Sequence, residues 1–365
     1  MNSFNPVFSK KEEMSMEQLY ELIQQIDRAK TVSELSAYHR ELAYRLRNFI
    51  ERDTIYSLSH TLTDVHDALM KKALVFAEEE TIHAAVGTPP KKWCWYVMGS
   101  MGRGEPTLWT DQDNGILFDC APEHEASCYE FIRYFATVGT NYLHEIGYPY
   151  CSGYVMATNH RWSKSLRDWE RQIETYINHH FPDDIRFLFI AMDMRPIYGC
   201  NELIVSSKQN LIEWIGNEPL LLKRMGEHVI FPHVPLGWLG NIQIERWGAY
   251  SGSIHLKHSG YVQLVNSLKF LSCLGNISAM TTLERLQDID ARVLLPSPLA
   301  KKAEEAFLTS LYFRLKYSME LGNERDYVPL RVLDRKERLQ LKRAMKTAKQ
   351  LQRFVIRRAG ELQDE

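Results

Sequence analysis

The chain has 365 residues, of which 45% are hydrophobic and 25% are charged, enough to bury a large core divided among roughly two or three domains. Lysine and arginine together number 44 against 46 for aspartate and glutamate, which leaves a formal net charge of −2. This balance provides no overall attraction for nucleic acid and argues against an RNA-tailing or polymerase role.

The start of the chain has no recognisable targeting signal. Residues 1–6 lack a basic region followed by an apolar stretch, and no run approaches about eighteen apolar residues. We therefore expect a cytoplasmic protein with no membrane partner. The cysteines form no Cys-x-x-Cys pair, so we expect reduced thiols rather than disulfides or a zinc framework. They are Cys94, Cys120, Cys128, Cys151, Cys200 and Cys273.

The first part of the chain, residues 1–90, is predicted to be helical. Thr31 and Glu34 have the spacing of a capping box, which is typical of a helix start. A further helix is predicted from Ile55 to Glu80. The Gly-Thr-Pro-Pro sequence at residues 87–90 should end it before the first strand.

The middle part, residues 91–200, alternates predicted strands and helices as a small α/β domain would. One strand is expected before Gly99 and another after Asp113, with helices at Glu123–Ile146 and Ser165–Asn178. The final part, residues 201–365, is predicted to be a helical bundle.

The last helix of that bundle has an apolar stripe and a strongly basic outer face. It could dock an acidic protein or a nucleic acid, or it could be a solvated face. Its basic residues are Arg335, Lys336, Arg338, Lys342, Arg343, Lys346, Lys349, Arg353, Arg357 and Arg358.

A glycine-rich turn follows the first predicted strand. Its glycines would let backbone amides converge on an anion such as a phosphate. They are Gly99, Gly102 and Gly104. Ser100 adds a hydroxyl donor, and Arg103 could bind phosphate or could instead pair with Glu105.

Two carboxylates, Asp111 and Asp113, introduce the next predicted strand. Side chains alternate along an extended chain, so these two should share a face while Gln112 points away. Carboxylates held side by side beside a phosphate-binding turn suit Mg²⁺. The turn does not have the G-x-G-x-x-G spacing of a dinucleotide-binding site.

The stretch Gly-Ser-x-Gly-Arg-Gly-Glu at 99–105, followed by Thr110-Asp111-x-Asp113, resembles the nucleotidyltransferase motif of the DNA polymerase beta superfamily. It is most similar to the branch of PII-uridylyltransferase and glutamine-synthetase adenylyltransferase. Closer still is a nucleotidyltransferase family of unknown function whose members often carry CBS or cyclic-nucleotide-binding domains. Further similar blocks lie at 153–162, 193–199, 235–237, 255–260 and 282–286.

The resemblance implies an α+β fold. A small nucleotidyltransferase palm with a mixed sheet, at residues 91–200, would be flanked by the N-terminal helices and the C-terminal helical bundle. The implied reaction moves a nucleoside monophosphate from a nucleoside triphosphate to an acceptor hydroxyl. The cofactor would be Mg²⁺ or Mn²⁺, and the partner a protein acceptor or regulator rather than nucleic acid.

The resemblance also implies roles for individual residues. Asp111 and Asp113 would bind metal and carry the catalysis. Four residues of the turn would bind the nucleotide, with the roles of the last two less defined. They are Gly99, Ser100, Arg103 and Glu105.

A third carboxylate is expected in this superfamily on a later strand, yet the similar block 153–162 contains no acid. Asp193 is the candidate catalytic residue, with a buried Asp193–Arg195 pair as the alternative. Without a third carboxylate, the site could bind a nucleotide without transferring it. The protein would then be a nucleotide sensor, or a scaffold that keeps only the fold.

The segment 254–269 is predicted to be a helix that begins with His255, Lys257 and His258. Lys257 could lean into the palm as a nucleotide ligand and neutralise triphosphate charge, or it could have a structural or surface role. The two histidines have no third ligand nearby in the sequence, so a zinc site is not expected.

Overall fold

The computed structural model describes residues 10–46, 55–229, 232–238, 240–320 and 326–362. These residues form an α+β structure in which helices surround one small mixed sheet, which confirms the predicted fold class. None of the described helices combines the length and the apolar character needed to cross a membrane. The six cysteines, all within the described ranges, are free thiols.

The N-terminal part contains the helices α1 (Lys10–Arg28), α2 (Val32–Leu46) and α3 (Ile55–Ala84). The Thr31 hydroxyl accepts a hydrogen bond from the Glu34 amide at 3.2 Å, so the predicted cap precedes α2. Helix α3 continues four residues past the predicted end and packs on the central domain.

Four strands form the central sheet in the order β3-β2-β1-β4. They are β1 (Lys92–Val97), β2 (Asn114–Asp119), β3 (Ser163–Ser165) and β4 (Arg195–Gly199). Strand β1 is antiparallel to β2 and β4, whereas β3 runs parallel to β2. The two central strands are almost entirely buried, so the residues at their ends are held on a rigid support.

Short and long helices connect these strands. They are α4 (Gly99–Gly102), α5 (Glu125–Ile146), α6 (Leu166–His179) and α7 (Pro182–Ala191). Helix α5 starts two residues after the predicted position because Pro122–His124 forms a separate 3₁₀ turn. Helix α6 starts where Ser165 accepts a hydrogen bond from the Asp168 amide at 3.3 Å.

The C-terminal part is helical, as predicted. Its helices are α8 (Asn201–Gly216), α9 (Pro219–His228), α10 (Val262–Leu274), α11 (Thr282–Ala291), α12 (Ser297–Glu320) and α13 (Arg335–Glu361). It also contains a strand pair that the sequence did not predict, β5 (Ser253–His255) with β6 (Tyr327–Pro329). The basic residues of α13 surround a buried apolar stripe that includes Leu341, Leu351 and Val355.

The predicted helix start at His255 is wrong, because His255 ends strand β5. Residues Lys257–Tyr261 form a π-helical turn, and α10 begins only at Val262. Gly260 has φ +125°, which interrupts an α-helix at this point. The apolar periodicity of α10 is local, whereas β5 depends on a partner strand far along the chain, so only the helix could be predicted.

Candidate active site

The glycine turn, residues 99–104, connects β1 to the carboxylates. Gly99 has φ +59°, and a Cβ at this position would lie 2.4 Å from Oδ2 of Asp113. A larger residue would therefore occupy the space at that carboxylate. A Cβ at Gly102 would lie 2.0 Å from the carbonyl oxygen of Asp193, so Gly102 is needed for close packing inside the protein. Ser100 is half-buried in the same turn.

The carboxylate pair, Asp111 and Asp113, lies immediately before β2. The ligand atoms of Asp111, Asp113 and Cys151 all lie within 4.8 Å of one another. Gln112 points the opposite way, is buried, and donates to the carbonyl oxygens of Thr140 and Tyr148, both at 3.0 Å. The side-chain amide of Gln112 thus anchors the segment to the protein interior. Asp111 and Asp113, one residue to either side, point together toward the opposite face.

Asp113 is partly removed from solvent and lies beside Asp111, so the two negative charges repel each other. Burial and the neighbouring Asp111 raise the pKa of Asp113 to about 6, against the opposing effects of Cys151 and Lys257. Burial and the charge of Asp113 raise the pKa of the Cys151 thiol to about 12. Cys151 therefore keeps its proton at neutral pH and donates a hydrogen bond to Asp113.

The donor set fits a divalent cation. Carboxylate oxygens are the ligands that Mg²⁺ and Mn²⁺ prefer, whereas a thiol is a ligand for softer metals. Asp111 and Asp113 could hold the cation, and Cys151 could orient Asp113 through its hydrogen bond. Gly99, which has no side chain, leaves room for the Asp113 carboxylate beside the turn.

Lys257 is distant from the carboxylate pair in the sequence but lies near it in the fold. It is half-buried on the π-helical turn, and its positive charge lowers the pKa of Asp113. Lys257 therefore lies near enough to the carboxylate pair for its charge to act on Asp113. Its role in binding phosphate stays a prediction.

Arg103 and Glu105 do not face this site. Arg103 is 5% exposed, and its guanidinium donates to Glu105 at 3.0 Å, to the Tyr261 hydroxyl at 3.0 Å and to Asp193. Glu105 also accepts from the Thr282 amide at 3.1 Å, at the start of α11. Arg103 and Glu105 thus form the structural pair that the sequence left open as an alternative. Nucleotide binding through these two residues is not supported, because both side chains are occupied by protein groups.

Asp193 is likewise separated from the carboxylate pair. It is 1% exposed and accepts from Lys269 at 2.5 Å and from Arg285 at 3.1 Å, in addition to Arg103. Burial alone would raise its pKa, but these three cations hold the pKa well below its usual range. A catalytic role for Asp193 is therefore not supported, since both of its carboxylate oxygens are bound by protein cations.

The alternative Asp193–Arg195 pair is also not formed. Arg195 instead makes a bidentate ion pair with Asp67 of α3, at 2.6 and 2.8 Å. Asp193 lies in the turn after α7 rather than in an extended run, so the expected alternation of side chains does not apply. We refer below to the buried residues around it as the ion cluster. They are Arg103, Glu105, Asp193, Tyr261, Lys269 and Arg285.

No pattern in the sequence marked Cys151 as part of the site. Its position is fixed by the turn at residues 151–155, where the Asn114 amide donates to the Val155 carbonyl at 3.1 Å. The only signal in the sequence was that Cys151 lies two residues before the similar block 153–162. Lys269 and Tyr261 likewise lie outside every similar block, whereas Arg285 lies within the block 282–286.

Two family models match the chain. One, described as putative nucleotidyltransferase DUF294, matches residues 40–183, which include the glycine turn and the carboxylate pair. The other, described as a putative nucleotidyltransferase substrate binding domain, matches residues 219–359, which include Lys257. No curated protein matches the chain. The two matches together cover most of its length.

Proposed function

The chain belongs to this nucleotidyltransferase family, and on that premise we propose that it transfers a nucleoside monophosphate from a nucleoside triphosphate to a hydroxyl group of a protein. The acceptor oxygen would bond to the α-phosphorus, the bond from that phosphorus to the oxygen of the β-phosphate would break, pyrophosphate would leave, and the proton of the hydroxyl would pass to water. The observation that carries the proposal is the carboxylate pair, which lies against Gly99 of the glycine turn and is acted on by the positive charge of Lys257.

Each residue of the site has a distinct task in this proposal. Asp111 and Asp113 would hold Mg²⁺ or Mn²⁺, and Cys151 would keep Asp113 oriented. A bound cation of this kind neutralises triphosphate charge and polarises the α-phosphate. Ser100 stands at the start of α4, where amide groups have no partner inside the helix and suit phosphate oxygens. Lys257 would neutralise further charge on the triphosphate.

A protein acceptor is supported by two observations. The similar sequence branch contains protein-modifying uridylyl- and adenylyltransferases, and the net charge of −2 gives no general attraction for nucleic acid. The second matched region, at residues 219–359, is described as substrate-binding, and Tyr261 of that region contacts Arg103 and Glu105 of the palm. The palm and the region described as substrate-binding are therefore in direct contact.

The test is transfer of label from each of the four α-labelled nucleoside triphosphates, with Mg²⁺ or Mn²⁺, to proteins of a cell extract. We expect labelled protein and released pyrophosphate with the wild type, and neither with Asp111→Asn or Asp113→Asn. Asp119→Asn is the matched control, because Asp119 is an exposed acid at the other end of β2. Undiminished transfer by Asp113→Asn would contradict the proposed metal site.

A nucleotide sensor is the second candidate. In the described part of the chain, the carboxylate pair is joined by a thiol and by no third carboxylate, which favours binding without transfer. A sensor would bind nucleoside triphosphate with the metal and would release no pyrophosphate. Binding and pyrophosphate release, measured on the same sample, separate the two candidates.

A further inference from the structure

Tyr154 combines an exposed aromatic ring with an unfavourable backbone conformation. Its side chain is 71% exposed and its φ is +55°, in the left-handed region that bulky residues rarely adopt. The neighbouring Gly153 could adopt that conformation without strain, yet the positive φ falls on Tyr154. The exposed ring recovers little of this cost through packing.

The turn that holds Tyr154 is attached to the carboxylate segment on both sides. On one side, Cys151 donates to Asp113, and the Tyr154 amide donates to the Cys151 carbonyl at 3.0 Å. On the other side, the carbonyl of Val155 accepts from the amide of Asn114 at 3.1 Å. Tyr154 is therefore held beside the carboxylate pair on a constrained segment.

Its backbone carbonyl is also fixed. The amide side chain of Asn159 donates to the Tyr154 carbonyl oxygen at 2.9 Å. These hydrogen bonds hold a strained residue whose ring faces solvent, in a turn that contacts the carboxylate segment. Strained residues of this kind concentrate where a ligand is bound.

We propose that the ring of Tyr154 is the surface on which the nucleobase of the bound nucleoside triphosphate stacks. The inference rests on the proposed function, because it requires the triphosphate to lie at Asp111 and Asp113. Aromatic rings stack on all four bases through their faces. Tyr154 should therefore contribute to the binding of ATP, GTP, UTP and CTP alike.

The test compares binding of the four nucleoside triphosphates with binding of tripolyphosphate, which has no base, all with Mg²⁺ and the full chain. Tyr154→Ala should bind each nucleotide about tenfold more weakly and tripolyphosphate as tightly as the wild type does. Tyr154→Phe keeps the ring and should retain nucleotide affinity. Tyr150→Ala is the matched control, since Tyr150 precedes Cys151 and stacks on His144 at 4.2 Å.

A second variant separates binding from folding. Tyr154→Gly removes the ring and also relieves the positive φ, so it should have a higher midpoint of thermal unfolding than Tyr154→Ala. It should nevertheless bind nucleotides as weakly as Tyr154→Ala. If Tyr154 had only a structural role, Tyr154→Gly would not combine a higher unfolding midpoint than Tyr154→Ala with weaker binding of nucleotides and unchanged binding of tripolyphosphate.

Three results would overturn the inference: unchanged nucleotide affinity in Tyr154→Ala, equal weakening for tripolyphosphate, or failure of Tyr154→Phe to retain affinity. The last result would assign the effect to the hydroxyl, for example as an acceptor. If the wild type binds neither tripolyphosphate nor any nucleotide, the proposed function itself fails, and the inference fails with it.

Discussion

The ion cluster and the carboxylate pair both place acids near the glycine turn, but the acids of the cluster are neutralised by protein cations and those of the pair are not. In the ion cluster, Asp193 is surrounded by Arg103, Lys269 and Arg285 and is almost completely buried. In the carboxylate pair, Asp111 and Asp113 lie side by side, and the charges of Lys257 and Arg103 act on Asp113. Acids with protein partners hold the palm to the C-terminal helices, whereas acids that repel each other are available to an external cation.

Not every residue of the block 99–105 faces the carboxylate pair. Arg103 and Glu105 belong to the same sequence block as Gly99 and Ser100, yet they point into the ion cluster. One face of the turn is therefore suited to a ligand and the other joins two parts of the protein. A change at either face should produce a different kind of defect.

The largest effect is expected from Asp193→Asn. Removing this charge leaves three buried cations without their shared partner, which should lower the free energy of unfolding by about 3–5 kcal/mol. Chemical denaturation measures this loss, with Asp119→Asn as the exposed control. A loss below about 1 kcal/mol would show that the ion cluster does not hold the two parts together.

Lys257→Ala tests the opposite face of the turn. It should weaken binding of nucleoside triphosphate with Mg²⁺ by about 1.5–3 kcal/mol, the usual range for a hydrogen bond to a charged group, without lowering unliganded stability. Titration calorimetry gives the affinity, and Lys302→Ala, on the exposed side of α12, controls for a simple loss of charge. Equal affinities would place Lys257 among structural residues.

Lys208 is a buried lysine close to the ion cluster that has no acidic partner of its own in the part of the chain that the structure describes. It is 2% exposed, its Nζ has no hydrogen-bond partner among the described residues, and burial lowers its pKa well below the usual value. Lys208→Met should therefore raise the free energy of unfolding by about 1–2 kcal/mol. Destabilisation of similar size would mean that Lys208 is a charged member of the cluster.

The smallest effect concerns the pH dependence of the carboxylate pair. The pKa of Asp113 is raised from 3.8 to about 6 in the folded state, so the folded protein binds this proton more tightly than the unfolded chain does. The contribution of Asp113 to the free energy of unfolding is therefore fully present below pH 3.8 and is lost as the pH rises through about 6. Without metal, Asp113→Asn should thus gain stability over the wild type between about pH 4 and pH 6. Asp113 is only half-buried, so the gain should be about 1 kcal/mol at most.

Denaturation across this pH range, with and without Mg²⁺, measures the difference. Excess Mg²⁺ should remove the advantage of the variant, because the cation compensates the repulsion between Asp111 and Asp113. An identical pH profile for the wild type and Asp113→Asn would contradict the raised pKa.

Local features of the sequence predicted much of the palm. The strands around the glycine turn, the placement of Asp111 and Asp113 on one side, and helix α6 all follow from neighbouring residues. What the sequence could not provide were contacts between distant segments. Asp193 meets Lys269 and Arg285, and β5 pairs with β6, only because of the tertiary fold. Cys151 joins the pair for the same reason.

The central claim is that the carboxylate pair serves a metal-bound nucleotide and not the stability of the fold. The most direct test is thermal unfolding of the wild type and the Asp111→Asn, Asp113→Asn double variant, with each nucleoside triphosphate and with or without Mg²⁺. The account predicts equal or higher unliganded stability for the variant. For the wild type alone, it predicts a metal-dependent gain of about 2.7 kcal/mol at a hundredfold excess over Kd. A destabilised variant, or the same nucleotide-induced shift in both proteins, would contradict it.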